Sequence, residues 1–323
     1  MFSFFKRPRQ PRESTHPTPN WASFFKQKEY DSFIQHVEDY FNSINIPITI
    51  SDGSVTATKN DFGFDQMGLS NIAQVCKHHA RSGWKELIRD HFESLQRAQQ
   101  FDKEFQTKLK NFESIRNYLG VRMLNTEAID ARTESFFVKK DFLPDVFSML
   151  CYDLPDNVRN VKPEDARVWE SLTTDELFSI GEANIKNNYS FDLSREKLDE
   201  FSLWICQDTH FFVPNLLLDI DSHPQCIGKL GCLVGIPTRH FAFFYPIEDL
   251  EVVKTIMPLI GIASGMHRDG PGSLTSSLYW YYEGRFENLP YQFKENGKEV
   301  SFIPSDRFIG ILNQLESPGP GAT

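Results

Sequence analysis

Residues 228–248 carry the sequence GKLGCLVGIPTRHFAFFYPIE. Two short apolar runs, at 230–236 and 241–245, flank the four residues Pro-Thr-Arg-His at 237–240. Short runs rich in Val, Ile, Phe and Tyr on both sides of a Pro-containing turn are typical of two buried strands in a hairpin. The pattern predicts a core β-hairpin in the C-terminal half, with Arg239 and His240 at its tip.

The segments around this hairpin predict an α+β fold, with a helix-rich N-terminal half and a mixed β-sheet with packed helices in the C-terminal half. Apolar residues at helical spacing and capping residues predict helices, at 31–44, 69–80, 84–98, 102–119, 211–220, 250–263 and 306–315. Short apolar or aromatic runs predict strands, at 46–50, 54–58, 118–124, 148–154, 201–206, 274–282 and 290–294. The segment 142–150 fits a helix or a strand.

Four regions follow from composition along the 323 residues. Residues 1–20 are rich in proline and charge and predict a disordered leader, and residues 317–323 predict a disordered tail. The polar segment 125–133 has no clear period and is the best internal boundary. It separates a helical or α+β region at 21–130 from an α+β region with the core hairpin at 131–316.

The charge balance limits the classes of partner. The chain has 34 basic and 44 acidic residues, and its first twelve residues hold four of the basic residues and no acid. An acidic body disfavours non-specific nucleic-acid binding, because affinity for the phosphate backbone depends on positive charge. We therefore expect no nucleic-acid partner. The 29 phenylalanines indicate a heavy core and allow a partner surface.

The cysteines and the chain start indicate a cytoplasmic protein. The five cysteines are odd in number and each has apolar neighbours, which is typical of buried free thiols in a reducing compartment. No apolar run reaches the length of a membrane span. The first residues place apolar side chains before basic ones, the reverse of a secretory signal. Residues 1–12 leave open a weak surface anchor.

Arg239 is the best candidate for holding a small ligand. An arginine fork binds a carboxylate or a phosphate through two parallel hydrogen bonds. Its neighbour His240, together with Asp208 and His210 from the expected adjacent strand end, supplies weak candidates for proton transfer. The catalytic residues are otherwise unknown. The alternative is a structural arginine paired with a loop acid. The glycine-bearing segment 266–272 is a lid over this site or a plain connector.

No metal and no cofactor is indicated. Asp219, Asp221 and His223 alternate along the chain, so an extended segment would turn all three to one face and could hold a divalent metal. The same residues before Pro224 also make an ordinary turn, which leaves them weak candidates. The chain lacks the sequence signatures of P-loop, dinucleotide-binding, nucleophile-elbow and zincin sites.

The aromatic run at 279–282 is the best candidate for binding a macromolecule. In a strand, Trp280 and Tyr282 point to one face and Tyr279 and Tyr281 to the other. If one face is core, exposed Trp280 and Tyr282 would be typical interface anchors. The alternative is a strand that is buried on both faces.

Several short motifs resemble a known family. They are Met67-Gly68-Leu69-Ser70-Asn71-Ile72-Ala73-Gln74, Gly83-Trp84-Lys85-Glu86-Leu87, His91-Phe92, Asp153-Leu154-Pro155, Thr174-Asp175-Glu176-Leu177-Phe178 with Asn184, and Gly235-Ile236-Pro237-Thr238-Arg239-His240. Their order is similar to that of the bacterial YtpQ-like family, a domain-of-unknown-function group, over residues 60–315. The resemblance implies a cytoplasmic α+β protein and brings no catalytic residues.

Two functions remain open from the sequence. The first hypothesis is a non-enzymatic cytoplasmic module that binds another protein, because the body is acidic, phenylalanine-rich and without a recognisable catalytic set. The alternative is an enzyme or a small-ligand binder for an anionic ligand held by Arg239. Whether the chain is an enzyme stays open, and the sequence does not indicate an oligomeric state.

Overall fold

The computed structural model describes residues 18–57, 66–128, 136–169, 171–198, 200–294 and 300–316. Most of the predicted leader, all of the predicted tail and part of the predicted boundary segment lie outside these ranges. The chain contacts group into two compact units, Met1–Gln96 and Arg97–Thr323. The predicted regions 21–130 and 131–316 stay a prediction.

The N-terminal unit combines helices with a small antiparallel sheet of order β1-β2-β3. Its elements are α1 (Gln27–Ser43), β1 (Ile48–Ser51), β2 (Ser54–Ala57), β3 (Gln66–Gly68), α2 (Ser70–Lys77) and the start of α3 (Trp84–Lys108). Helix α1 buries Phe33, Val37 and Phe41, as their spacing predicts. Asp52 and Gly53 have φ of 44° and 73°, the left-handed turn geometry that joins paired strands tightly.

The helix α3 differs from its prediction. The sequence predicts separate helices at 84–98 and 102–119, whereas α3 continues to Lys108. The intervening residues Gln99 and Gln100 are good helix formers, and no glycine or proline stops the helix there. The remainder of the second predicted helix is the single turn α4 (Phe112–Ile115), which the Asn111 side chain caps by accepting from the Glu113 amide.

The first sheet of the C-terminal unit is built around one long strand. Its strands are β4 (Leu119–Asn125), β5 (Lys139–Leu143), β6 (Val146–Leu154) and β7 (Asn157–Asn160), and β6 pairs with the other three. The segment 142–150, for which the sequence allows a helix or a strand, therefore contains the end of β5, a turn at 144–145 and the start of β6. The short helix α5 (Pro163–Arg167) follows, and helix α6 (Thr174–Asn188) packs on β4. A Cβ at Gly181 would lie 2.9 Å from the Gly120 carbonyl carbon, so glycine permits this close approach.

The second sheet contains the hairpin and has the order β13-β12-β10-β11-β9-β8. Its strands are β8 (Leu193–Leu198), β9 (Phe201–Gln207), β10 (Cys232–Thr238), β11 (Phe241–Pro246), β12 (Tyr279–Tyr282) and β13 (Arg285–Asn288). The hairpin prediction is confirmed by the antiparallel pairing of β10 with β11. The α+β class is also confirmed. One detail differs from the prediction. The sequence predicts a mixed sheet, whereas the named strands of this sheet pair antiparallel.

Two apolar segments of the C-terminal unit differ in form from their predictions. The segment predicted as a helix at 211–220 is a 3-10 helix at Val213–Ser222, with a non-helical residue at Asp219. Helix α7 (Glu251–Asp269) continues past the predicted end at 263 and stops before Gly270. The first four residues of the predicted lid at 266–272 are therefore helical, and only the last three form a connector. The strands β14 (Tyr291–Phe293) and β15 (Val300–Phe302) and helix α8 (Asp306–Glu316) complete the unit.

All five cysteines are buried free thiols. Burial raises the pKa of the Cys76, Cys151 and Cys226 thiols to about 12, so they stay protonated and contribute packing rather than nucleophiles. Within the described ranges, no helix has both the length and the apolar character needed to cross a membrane.

Candidate functional site at the hairpin tip

Two chain segments hold the tip of the β10–β11 hairpin. The Arg239 amide donates to the Gly272 carbonyl at 2.9 Å, in the connector after α7. The His240 carbonyl accepts from the Asp208 amide at 3.1 Å, in the segment after β9. The tip is therefore fixed by backbone hydrogen bonds from both sides, which gives its side chains a defined position.

Arg239 is half-buried and has no carboxylate partner among the residues that the structure describes. Its guanidinium lies over the Phe211 ring, 4.1 Å from the ring centre, and its Nε donates to His240 Nε2 at 3.1 Å. Within the described parts of the chain, its two terminal nitrogens have no protein acceptor and no ion-pair partner. Burial, and then the charge of Arg122, lower the pKa of Arg239 to about 10. At neutral pH it is therefore a partly desolvated cation with free donors.

Arg122 supplies a second cation to the same region. It projects from β4, and one terminal nitrogen donates to Asn160 Oδ1 at 2.6 Å. Its Nε is buried and has no hydrogen-bond partner in the described part of the chain. Burial lowers the pKa of Arg122 as well. Two cations that each lack a described carboxylate partner favour the approach of an anion.

His240 accepts a hydrogen bond from Arg239 and is a neutral imidazole at neutral pH. Its Nδ1 lies 3.0 Å from the His210 carbonyl and donates to it, because its Nε2 accepts from Arg239. Burial, and then the neighbouring Arg239 charge, lower the pKa of His240 to about 4. The imidazole is neutral, and both of its nitrogens are engaged.

The other predicted proton-transfer candidates lie beside the tip. His210 Nδ1 accepts from the Phe212 amide at 3.1 Å, and its Nε2 lies 3.3 Å from the Ser190 carbonyl and 3.9 Å from Asp208 Oδ2. The structure brings Asp208, His210 and His240 together as the sequence suggests. The contacts of both imidazoles with the backbone fix the loop conformation, and a catalytic role for the three stays a prediction.

The predicted metal candidates have separate partners. Asp219 accepts from Lys186 at 2.5 Å and from Ser222 at 2.7 Å, whereas Asp221 accepts from the Tyr281 hydroxyl at 2.6 Å. In the part of the chain that the structure describes, no three His, Cys, Asp or Glu side chains are grouped to hold a metal ion. Asp219 and Asp221 lie in the last turns of the 3-10 helix and His223 follows it.

The aromatic strand β12 is packed on both faces at Trp280. Trp280 has no exposed surface, and its indole N–H donates to the Leu230 carbonyl at 2.9 Å. Its ring stacks on Tyr282, which is half-buried, and lies against Phe308 of α8. The expected exposure of Trp280 is therefore wrong, because α8 covers that face. Trp280 is a core residue, not an exposed anchor.

Sequence analysis missed three residues of the tip. Arg122 is the charged residue within the apolar run at 119–124, a pattern that indicates a buried cation with a functional role. The sequence predicts Phe211 in a helix, whereas its ring lies under the Arg239 guanidinium. Gly272 has φ of +68°, and a Cβ there would lie 2.5 Å from Arg239 Nε. Only the folded structure shows that this glycine makes room for the arginine.

Comparisons with family models, curated proteins and solved structures found no match to this chain. The resemblance to the YtpQ-like family therefore stays a prediction.

Proposed function

We propose that this protein binds a small anionic ligand, bearing a carboxylate or phosphate group, at the hairpin tip. The observation that carries the proposal is the half-buried Arg239, whose terminal nitrogens have no protein acceptor within the described residues. Burying a charge without a partner is costly. An anion of matching geometry would satisfy both nitrogens at once.

The surrounding residues have separate roles in this proposal. Arg239 binds the anionic group directly, and Arg122 adds a second positive charge. His240 and Phe211 orient the guanidinium, one through its Nε and the other through its face. Gly272 leaves the space that the arginine side chain occupies. The proposal is one of binding, and it includes no catalytic step.

Two further expectations belong with this proposal. A cytoplasmic location fits the five buried free thiols, because thiols persist in a reducing compartment. Binding of another protein stays a prediction. The burial of Trp280 removes one of the two aromatic anchors proposed for it, so the geometry favours the small anion.

Isothermal titration calorimetry with inorganic phosphate and with citrate tests the proposal. We expect saturable binding of at least one anion by the wild-type protein. Arg239→Gln should weaken it by roughly 10- to 100-fold, the size of a lost charge-assisted contact. Arg307→Gln is the matched control, because Arg307 also lies over an aromatic ring but pairs with Glu283 and Glu287. No binding, or equal losses in both variants, would contradict the proposal.

A further inference from the structure

A cleft of about 480 Å³ lies between α6 and the 3-10 helix at Val213–Ser222. Its volume is within the usual range of small-molecule sites, about 300–1,000 Å³. Its lining does not include Arg239, Arg122 or His240. The cleft is therefore a different place from the hairpin tip, and what it binds is a separate question.

One wall of the cleft is aromatic and held in place. Tyr189 and Phe191 line it, and their rings lie 4.7 Å and 5.4 Å from the ring of His210 between centres. The Tyr189 hydroxyl also donates to both oxygens of Asp153, at 2.8 and 2.9 Å. Aromatic rings attract cations through the negative potential of their faces. A fixed aromatic wall is therefore suited to a positively charged ligand.

Glu182 contributes an unpaired carboxylate to the same cleft. It is half-buried on α6 and has no hydrogen bond or ion pair within the described ranges. The cation that acts on it electrostatically is Lys140, which pairs with Asp175 at 2.5 Å. Burial raises the pKa of Glu182, and Lys140 opposes that shift. The carboxylate is therefore partly desolvated, with its charge uncompensated by a direct contact.

The other polar groups of the cleft do not neutralise Glu182. Lys186 and Asp219 pair with each other at 2.5 Å, from one wall to the other. Asn215 is 7% exposed, and its amide nitrogen donates to the Val121 carbonyl at 2.7 Å. Its Oδ1 is buried and has no donor in the described structure. The unpaired groups of Glu182 and Asn215 are thus both acceptors.

We propose that this cleft binds a small organic ammonium ion with an apolar body. The ammonium group would pair with the Glu182 carboxylate and lie near the aromatic wall of Tyr189 and Phe191. The apolar body would lie against Ile185 and Leu216, which also line the cleft. An anion is disfavoured by Glu182, and a neutral apolar molecule leaves that carboxylate unpaired.

Calorimetric titration with tryptamine tests this proposal, with 3-ethylindole as the neutral comparator. We expect saturable binding of tryptamine and affinity for 3-ethylindole that is roughly tenfold lower. Glu182→Gln should lower tryptamine affinity by roughly tenfold while leaving that for 3-ethylindole unchanged. The exposed Glu164→Gln is the control for a general charge effect, and Arg239→Gln should leave tryptamine binding intact.

A second variant tests the location without changing charge. Ala183 is exposed and lines the cleft, so Ala183→Phe should fill the space and block both probes while circular dichroism stays that of the wild type. Absence of saturable tryptamine binding, equal affinity for the two probes, or unchanged affinity in Glu182→Gln would overturn the proposal. None of these results bears on anion binding at Arg239.

Discussion

Arg307 and Arg239 are two of the arginines in the C-terminal unit that lie over aromatic rings, and their surroundings are opposite. Arg307 of α8 lies 5.0 Å from the Trp280 ring centre, and Glu283 and Glu287 are within 3.5 and 3.6 Å of its guanidinium. Arg239 lies 4.1 Å from the Phe211 ring centre, and its side-chain partner is the neutral His240. The first arginine is paired within the protein, and the second retains free donors.

The contrast separates a structural cation from the one that we propose binds a ligand. An aromatic ring and two carboxylates satisfy Arg307, so its position stabilises the packing of α8 on β12. Arg239 has the same support from a ring, but no carboxylate among the described residues supplies a counter-charge. A buried cation without a partner destabilises the folded protein unless something else supplies the charge. The difference is the physical reason for assigning the anion to the hairpin tip.

The largest effect on stability should come from the aromatic strand. Trp280→Ala should lower the free energy of unfolding by about 3–5 kcal/mol, because a fully buried indole leaves a cavity. Urea unfolding followed by fluorescence measures the loss. A change below about 1 kcal/mol would mean that Trp280 is not a core residue.

Gly272→Ala should damage the tip more than its small size suggests. The left-handed backbone at this position costs a residue with a Cβ about 1–2 kcal/mol, and the new methyl group would displace Arg239. We expect lower stability together with loss of phosphate or citrate binding in calorimetry. Gly284→Ala is the matched control, because Gly284 also has a positive φ but has open space around it. Retained anion binding in Gly272→Ala would show that the glycine does not position Arg239.

Acid should destabilise the protein through its neutral histidines. The pKa of His240 falls from an ordinary value near 6.5 to about 4 on folding, so between these values the unfolded chain binds more protons. Its contribution to stability is present above pH 6.5 and is lost as the pH falls towards 4. Burial also lowers the pKa of His91, in the N-terminal unit, to about 4. Protonation of His91 therefore adds to the loss of stability as the pH falls.

The His240→Gln variant separates the contribution of His240 to this pH dependence from that of His91. The variant should show a shallower decline in the free energy of unfolding between pH 6.5 and 4, and His91 and His267, whose pKa values burial also lowers, should contribute to the decline that remains. Urea unfolding at several pH values measures both. An unchanged slope in His240→Gln would contradict the assignment of a neutral imidazole beside Arg239.

The smallest effect on the free energy of unfolding should come from replacing either arginine. The sign of that effect distinguishes Arg307 from Arg239. Arg307→Met should lower the free energy of unfolding by up to about 1 kcal/mol, the usual size of partly exposed ion pairs. Arg239→Met in buffer free of phosphate and carboxylates should leave it unchanged or raise it, because a desolvated and unpaired charge is removed. A clear loss of stability in Arg239→Met would indicate that Arg239 is a structural residue.

The sequence predicts the local elements of this fold better than the packing between elements that are distant in the chain. The apolar runs at 230–236 and 241–245 identify the hairpin, because strand periodicity and a turn are local signals. The extent of α7 was missed, because Gly265 looks like a stop but is tolerated inside the packed helix. The burial of Trp280 depends on α8, which lies 26 residues further along the chain and leaves no local signal.

The site was predictable in part for the same reason. Arg239 and His240 stand out at a turn, so their chemistry is visible in the sequence. Arg122 lies more than 100 residues away on β4. Its charge lowers the pKa of Arg239 only because the two sheets pack together in the folded chain. The absence of a carboxylate partner is likewise a property of the folded chain.

The most direct test of the account is an NMR titration of the arginine side-chain Nε–Hε signals with phosphate and with citrate. Arg239→Gln and Arg307→Gln assign the two signals by their disappearance. The account predicts that the Arg239 signal shifts and saturates with at least one anion while the Arg307 signal stays in place. An Arg239 signal that neither anion moves, or that moves no more than that of Arg307, would contradict it.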